Sequence, residues 1–325
     1  MSEELHGVHG LSLGELTRQL TFKVPSLGDL SIHRSPIGGW TNVNLLAESN
    51  SKKYVVKLPQ LRVPYLENPY ESQFRTYEHF SQLGICPEPI AFGRLDTEIE
   101  TPFLVLRFVE GEIIPNLSEM SSRQLDMIRE VMATFASSSP QGLPRHESSL
   151  DYSHHLLGKL ENTLDQYNAP SSLVSDSVKT LRSITDSLLA LGAFDDTWPK
   201  DVMHGDLQEP NIVFTESEVM FIDLEETSIG ESLYDIAYLV VQNPKHGPTR
   251  KIPSQLARDD EPRIRQLMPL ALLSVIAWTL DRIVRTEAGV LEESLGRPTT
   301  SEVLRSYLNS KMLHYEELSS RIGRH

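Results

Sequence analysis

Between residues 30 and 59 short apolar segments alternate with polar positions and are broken at Gly38-Gly39 and at Ser49-Asn50-Ser51-Lys52. That is the signature of three strands joined by tight turns, and it predicts an antiparallel sheet. Phe74, Tyr77, Phe80 and Leu83 then recur at helical spacing, Gly84 closes the helix, and Pro87 and Pro89 open an extended segment. Residues 103–109 read as a further strand. Beyond Gly111 the texture changes, and residues 117–136, 150–167, 174–191, 267–285 and 300–321 are helical in period or composition. Two short strands, 212–214 and 219–222, are expected among those helices, joined by the polar Thr215-Glu216-Ser217-Glu218. The predicted boundary lies near Arg107 to Gly111. It separates a sheet-rich N-terminal part, 1–108, from a mainly helical part, 109–325.

Length supports that division. A chain of 325 residues exceeds the roughly 250–300 at which one hydrophobic core tends to split, so two domains or lobes are expected. The 30 Lys and Arg against 45 Asp and Glu give a formal charge of -15, which argues against nucleic acid as a partner. The longest mainly apolar run, 267–278, is short of the roughly 20 residues that cross a bilayer, so it reads as a buried helix and no membrane is expected. The first 20 residues lack a basic start followed by an apolar stretch, the pattern of a secretory signal. Cys86 is the only cysteine, so no disulfide framework or cysteine-rich zinc site forms within the chain. A cytoplasmic location fits these features.

The chemically informative stretch is Val202-Met203-His204-Gly205-Asp206-Leu207-Gln208-Glu209-Pro210-Asn211, followed by Phe221-Ile222-Asp223-Leu224-Glu225. It offers two acids and an amide at fixed intervals. Phosphoryl transfer needs divalent cations held against phosphates and a carboxylate to orient the attacking hydroxyl. Asp206 suits the second task. Asn211 and Asp223 offer the hard oxygen ligands that Mg2+ prefers, and a hairpin between them would bring both to one place. Upstream, Gly38 and Gly39 sit between two strands, where glycine lets backbone amides approach phosphate oxygens. Lys57 lies on the third strand among apolar neighbours.

The run His-Gly-Asp-x-x-x-x-Asn followed by a strand ending Ile-Asp resembles the signature of the aminoglycoside phosphotransferase and choline kinase superfamily. Ile37-Gly38-Gly39-Trp40-Thr41-Asn42 is similar to the Gly-Gly-x-Thr-Asn loop of its choline and thiamine kinase-like members. The resemblance implies an α+β, protein-kinase-like two-lobed fold, with a small antiparallel sheet lobe that binds ATP and a larger helical lobe that binds the acceptor. It implies that Asp206 is the catalytic base, that His204 braces the catalytic loop, and that Asn211 and Asp223 hold Mg2+. Gly38, Gly39, Thr41, Asn42 and Lys57 would meet the nucleotide phosphates. Glu71 is the first choice of carboxylate to hold Lys57, with Gln73 and Glu78 as neighbouring alternatives. The Arg107 carbonyl and the Val109 amide would read adenine, with Val55 and Ala91 as walls. Asp235 would buttress the loop.

The expected activity is that of a small-molecule kinase acting on an amino alcohol or a thiamine- or choline-like acceptor. An aminoglycoside or sugar-like acceptor is the alternative, and a nucleotide-binding scaffold without turnover is the alternative of another class. A protein kinase is disfavoured, because Gly205 replaces the arginine of that catalytic loop and Leu224-Glu225 replaces Phe-Gly after the metal aspartate. Glu226 stands where the choline-like branch often has tyrosine. Acidic excess beyond residue 111 suggests a cationic acceptor, with Glu225, Glu226 and Glu231 as the groups to meet an ammonium. Trp278, Tyr307 and Tyr315 could form an aromatic wall, although core packing explains them as well. His154-His155 reads as a solvated helix face.

Overall fold

A computed structural model describes residues 7–38, 41–138, 140–167, 199–242, 252–291 and 300–322, together with 176, 179–183, 185 and 186. Two compact units emerge: Met1–Glu110 with Gly289–Thr299, and Gly111–Ala288 with Thr300–His325.

In the first unit a two-residue pairing of β1 (Gly7–Val8) with β2 (Leu11–Ser12) leads into α1 (Leu13–Lys23). This helix is absent from the sequence expectations, yet Ser12 and Glu15 carry a start signal: the Ser12 hydroxyl accepts the Glu15 N–H at 3.2 Å. Its buried face is narrow, with Leu16 and Leu20 one turn apart among polar residues.

Five strands follow: β3 (Ser31–Gly38), β4 (Asn42–Ser49), β5 (Lys52–Pro59), β6 (Pro89–Arg94) and β7 (Pro102–Arg107). They form one antiparallel sheet in the order β3-β4-β5-β7-β6. Successive side chains of a strand point to opposite faces. Tyr54, Val56 and Leu58 join a core with Leu16, Leu20, Leu27, Phe103 and Val105. Val55 and Lys57 therefore occupy the other face, in register with Leu106 and Leu104 of β7. Helix α2 (Pro69–Ser81) packs on β6 and β7 and buries Tyr70, Tyr77 and Phe80. Its start is set by Asn68, whose side chain accepts the Tyr70 N–H, and by Pro69, whose missing N–H is no loss at a first helical position. The unit also takes in residues 290 and 291, where the Arg62 N–H donates to the Val290 carbonyl at 2.8 Å and Leu61 bridges to Leu291.

The second unit holds α3 (Ser122–Ala136), α4 (Ser149–Gln166), four short strands and, among the described residues, further helices that include the short Ser254–Ala257. Strand β8 (Asp201–Met203) pairs with β11 (Ser228–Gly230), and β9 (Ile212–Phe214) pairs with β10 (Val219–Phe221), both antiparallel. Helices α5 (Leu233–Gln242), α6 (Glu261–Glu287) and α7 (Ser301–Ile322) complete it. The sequence expectation for α6 began at residue 267, but Pro262 near the N-terminus starts the helix earlier. Residues Ser254–Glu287 are long and apolar enough to cross a bilayer, yet 83% of their most apolar window is buried inside the protein. Packing against α4, α5 and α7 covers that surface, so α6 is the core helix the run predicts. The expected helix 174–191 lies largely outside the described residues.

Candidate active site

The loop after β8 is held from beneath by one carboxylate. Asp235, buried on α5, accepts the His204 N–H at 2.7 Å and the Gly205 N–H at 2.9 Å. Burial raises its pKa to about 7, and those two backbone donors work against the rise. The His204 ring is fully buried between Phe135 and Phe221. Its Nε2 lies 3.0 Å from the Ile222 carbonyl and its Nδ1 accepts the Asp206 N–H at 3.3 Å, which sets a neutral tautomer with the proton on Nε2. Histidine thus ties the strand leading to Asp223 to the loop carrying Asp206. Gly205 has φ +82°, and a Cβ there would run into the Glu226 carbonyl, so the turn admits glycine alone.

The Asp206 carboxylate is met from its own loop. Gln208 Nε2 donates to Oδ1 at 3.2 Å and to Oδ2 at 3.1 Å, while Asn211 Nδ2 donates to Oδ2 at 3.1 Å and to the Asp206 carbonyl at 2.9 Å. The Asn211 carbonyl accepts the Ile222 N–H at 3.0 Å, so the residue preceding Asp223 is fastened to the loop. Asp223 itself is in the left-handed region, φ 65°, which an aspartate tolerates better than most side chains. Burial pushes Asp206 up to about 8; the Asp223 charge adds to this, a hydrogen-bonding interaction with Tyr238 opposes it, Glu225 raises it further and Gln208 lowers it. Glu209, beside them, is buried and accepts the Leu117 N–H at 3.2 Å. Sequence reasoning missed Gln208, Glu209 and Tyr238, since nothing in their spacing distinguishes them from ordinary loop and helix residues.

Clustered anions in a partly desolvated site raise one another's energy, and a divalent cation would offset that cost. Among the described residues no group of three or more His, Cys, Asp or Glu is arranged to hold a metal. An all-protein cage is therefore not offered. One carboxylate and one amide oxygen fit Mg2+, which keeps several waters and completes its octahedron with substrate phosphates.

The candidate nucleotide residues lie in the first unit. Lys57 is buried on β5 with Val55 on the same face. Asn42 is buried at the start of β4, where its Oδ1 accepts the Tyr70 hydroxyl at 2.7 Å and its Nδ2 donates to Thr41 Oγ1 at 3.2 Å. Gly38 ends β3, and Gly39 lies outside the described residues. Glu71 stands exposed in the first turn of α2, its carboxylate taken by Arg75 at 2.8 Å. Gln73, two residues on, instead turns a buried Oε1 that has no hydrogen-bond partner among the described residues. Arg107 closes β7 with its guanidinium over the Tyr54 ring and bonded to Glu88, and the half-buried Val109 follows.

The acidic trio expected to meet a cation is mostly committed elsewhere. Glu231 is buried and receives both Arg263 Nε at 2.8 Å and Nη2 at 2.6 Å. Lys159 donates to Glu226 at 2.9 Å. Glu225 acts electrostatically on both Asp206 and Arg282. Of the aromatic wall, Tyr315 is core and Trp278 lies under the Arg282 guanidinium, while Tyr307 is coupled electrostatically to Asp206. His154 and His155 are both exposed on α4, as expected of a solvated helix face, and the His155 ring stands 5.0 Å from that of buried His146.

Residues 33–267 match the pattern of the phosphotransferase enzyme family. Similar solved structures include a putative aminoglycoside phosphotransferase from Ralstonia eutropha JMP134, 15% identical, with a TM-score of 0.61 and coverage of 95% of this chain and 98% of that one. Another is a thermostable mutant of aminoglycoside phosphotransferase APH(4)-Ia in ternary complex with ADP and hygromycin B, 16% identical, TM-score 0.62, covering 95% and 99%. A choline kinase from Cryptosporidium parvum Iowa II is 13% identical, TM-score 0.57, covering 90% of each chain. No curated protein matches the chain in sequence. These likenesses carry the α+β, protein-kinase-like fold.

Proposed function

The chain belongs to the phosphotransferase enzyme family, and from that premise we propose that it transfers the γ-phosphate of ATP to a hydroxyl of a small, amine-bearing molecule. An amino alcohol or a thiamine- or choline-like compound is the first expectation for the acceptor, and an aminoglycoside the second. The observation that carries this reading is the Asp206 carboxylate, oriented by Gln208 and Asn211 on a loop whose backbone is fixed by Asp235.

In this reading Asp206 hydrogen-bonds the acceptor hydroxyl, aligns its oxygen with the γ-phosphorus, and takes the proton as the phosphoryl group moves. His204 and Asp235 hold the loop so that little reorganisation is needed on reaction. A magnesium ion bound by Asn211 and Asp223 would supply the positive charge that neutralises the phosphates. Within the first unit, Lys57 would offer positive charge to nucleotide phosphates and the backbone after β7 would offer groups to adenine. Support for an amine-bearing acceptor comes from the negative charges of Asp223 and Glu225, both of which raise the pKa of Asp206 in the second unit.

A coupled assay of ADP release with MgATP tests this against choline, ethanolamine, thiamine, hygromycin B and neutral sugars. At least one amine-bearing alcohol should be turned over with higher kcat/KM than any neutral sugar, and Asp206→Asn should abolish that turnover. Transfer to none of them, or full activity in the variant, would overturn the reading.

A further inference from the structure

Three polar side chains of the first unit meet on one face of its sheet. Lys57 is 3% exposed and stands opposite Asn44 of β4 on one side and Leu104 of β7 on the other, with Phe92 of β6 opposite Leu104 in turn. Residues paired directly across an antiparallel ladder share a face, their Cβ atoms about 4.5–5.5 Å apart. Asn44, Lys57, Leu104 and Phe92 therefore lie together, and Asn42, two positions before Asn44, joins them. Helix α2 covers that face. Its Tyr70 hydroxyl donates to Asn42 Oδ1 at 2.7 Å, and its Phe74 ring stands 5.0 Å from that of Phe92. Gln73 lies one turn from each of the buried Tyr70 and Tyr77, so the helix turns it toward the sheet as well.

Two oxygens on this face are left over. Asn44 Oδ1 and Gln73 Oε1 are both buried, and neither has a hydrogen-bond partner among the described residues. An acceptor held away from water without a donor costs about 1–3 kcal/mol, so two of them around a lysine, whose ammonium carries three donors, call for a reason. The acids of α2 are turned elsewhere: Glu71 is exposed and taken by Arg75, and Glu78 is exposed as well. An amide oxygen also differs from a carboxylate in its effect on a neighbouring cation. It orients an ammonium without cancelling its charge, and the whole charge stays available to phosphate oxygens. We propose that Gln73 and Asn44 are positioning residues for Lys57, their side-chain oxygens forming a neutral cradle that receives its ammonium as it meets the nucleotide phosphates. Gln73 thereby takes the place expected of Glu71. The inference rests on the reading that Lys57 meets those phosphates.

Equilibrium titration of the full chain with ATP at fixed Mg2+, beside thermal unfolding of the free protein, tests the cradle. Gln73→Leu nearly keeps the volume and removes the orphaned oxygen. It should weaken ATP binding about five- to fiftyfold, while the thermal midpoint stays level or rises because a buried acceptor without a donor has gone. Asn44→Leu should act in the same direction. The decisive arm is a double-mutant cycle with Lys57→Met, which removes the ammonium and keeps an unbranched apolar stem. In that background neither amide substitution should change ATP affinity by more than about twofold. Unaltered affinity in both Gln73→Leu and Asn44→Leu overturns the proposal, as does an equal loss with and without the Lys57 ammonium, which would mean that the amides act independently of it. If Lys57→Met itself binds ATP as the wild type does, the reading beneath the proposal fails. If Lys57→Met binds weakly and only the amide variants bind normally, that reading stands and the cradle alone is wrong.

Discussion

At Gly205 the backbone turns with φ +82° beside the Glu226 carbonyl, and the following residue is Asp206. A methyl group there would combine left-handed strain with a clash against backbone that β11 and Asp235 hold in place. Gly205→Ala should therefore cost at least about 2 kcal/mol, read as a lower denaturant midpoint, and should disable turnover. A variant as stable and active as the wild type would mean the turn can relax. Asp223 illustrates the opposite case, where chemistry rather than space selects the residue. Replacing it by Asn keeps size and tolerance of the left-handed region but removes the anionic ligand. Nucleotide titrations with and without Mg2+ should lose most of their difference in Asp223→Asn, and an undiminished metal effect would place the cation elsewhere.

Among the elements, α5 does the most to position the site, since its first turn holds Asp235 and its last turn is capped from another helix. The final carbonyls of a helix have no partner within it. Here the Val241 and Gln242 carbonyls accept from buried Lys311 on α7, with the Tyr307 ring 5.2 Å from the ammonium. Lys311→Met preserves most of the volume but leaves two carbonyls short of a donor. Stability should fall by about 1–3 kcal/mol, and amide exchange should quicken in the last turn of α5 before it does in α3. Equal protection of α5 in variant and wild type would show that the cap is dispensable. Helix α1 and the strand pair β8–β11 teach a related lesson about legibility. Strands of three residues give no detectable alternation, and a helix with two buried leucines gives little periodicity; only the Ser12–Glu15 start signal announced α1.

Over the whole molecule the formal charge of -15 is a net excess of acids, yet individual acids are locally paired, as by Arg263 at Glu231 and Lys159 at Glu226. A titrating group outside the candidate site connects fold stability with pH. His146 is buried against Tyr152 and faces His155, Asp151, Lys159 and Glu226. Burial is the main cause that lowers its pKa from 6.5 to about 4, with His155 adding to the effect and Asp151 opposing it. Because the folded value is the lower one, the stabilisation is present above pH 6.5 and is lost as pH falls from there through about 4, a span worth up to roughly 3 kcal/mol. Unfolding free energies at pH 7 and pH 4.5 should differ less in His146→Phe than in the wild type. An identical pH dependence in both would remove His146 from the account. The sequence determined the period-two strands of the sheet, most of the long helices and the local order of His204, Gly205, Asp206, Asn211 and Asp223, because those depend on spacing along a few turns or strands. It left open which carboxylates stay available and which donors reach Asp206. Those choices fell to tertiary structure, as where Arg263 takes Glu231 across 32 positions of chain. Partners so distant in sequence meet only when whole elements pack, and no local period records them.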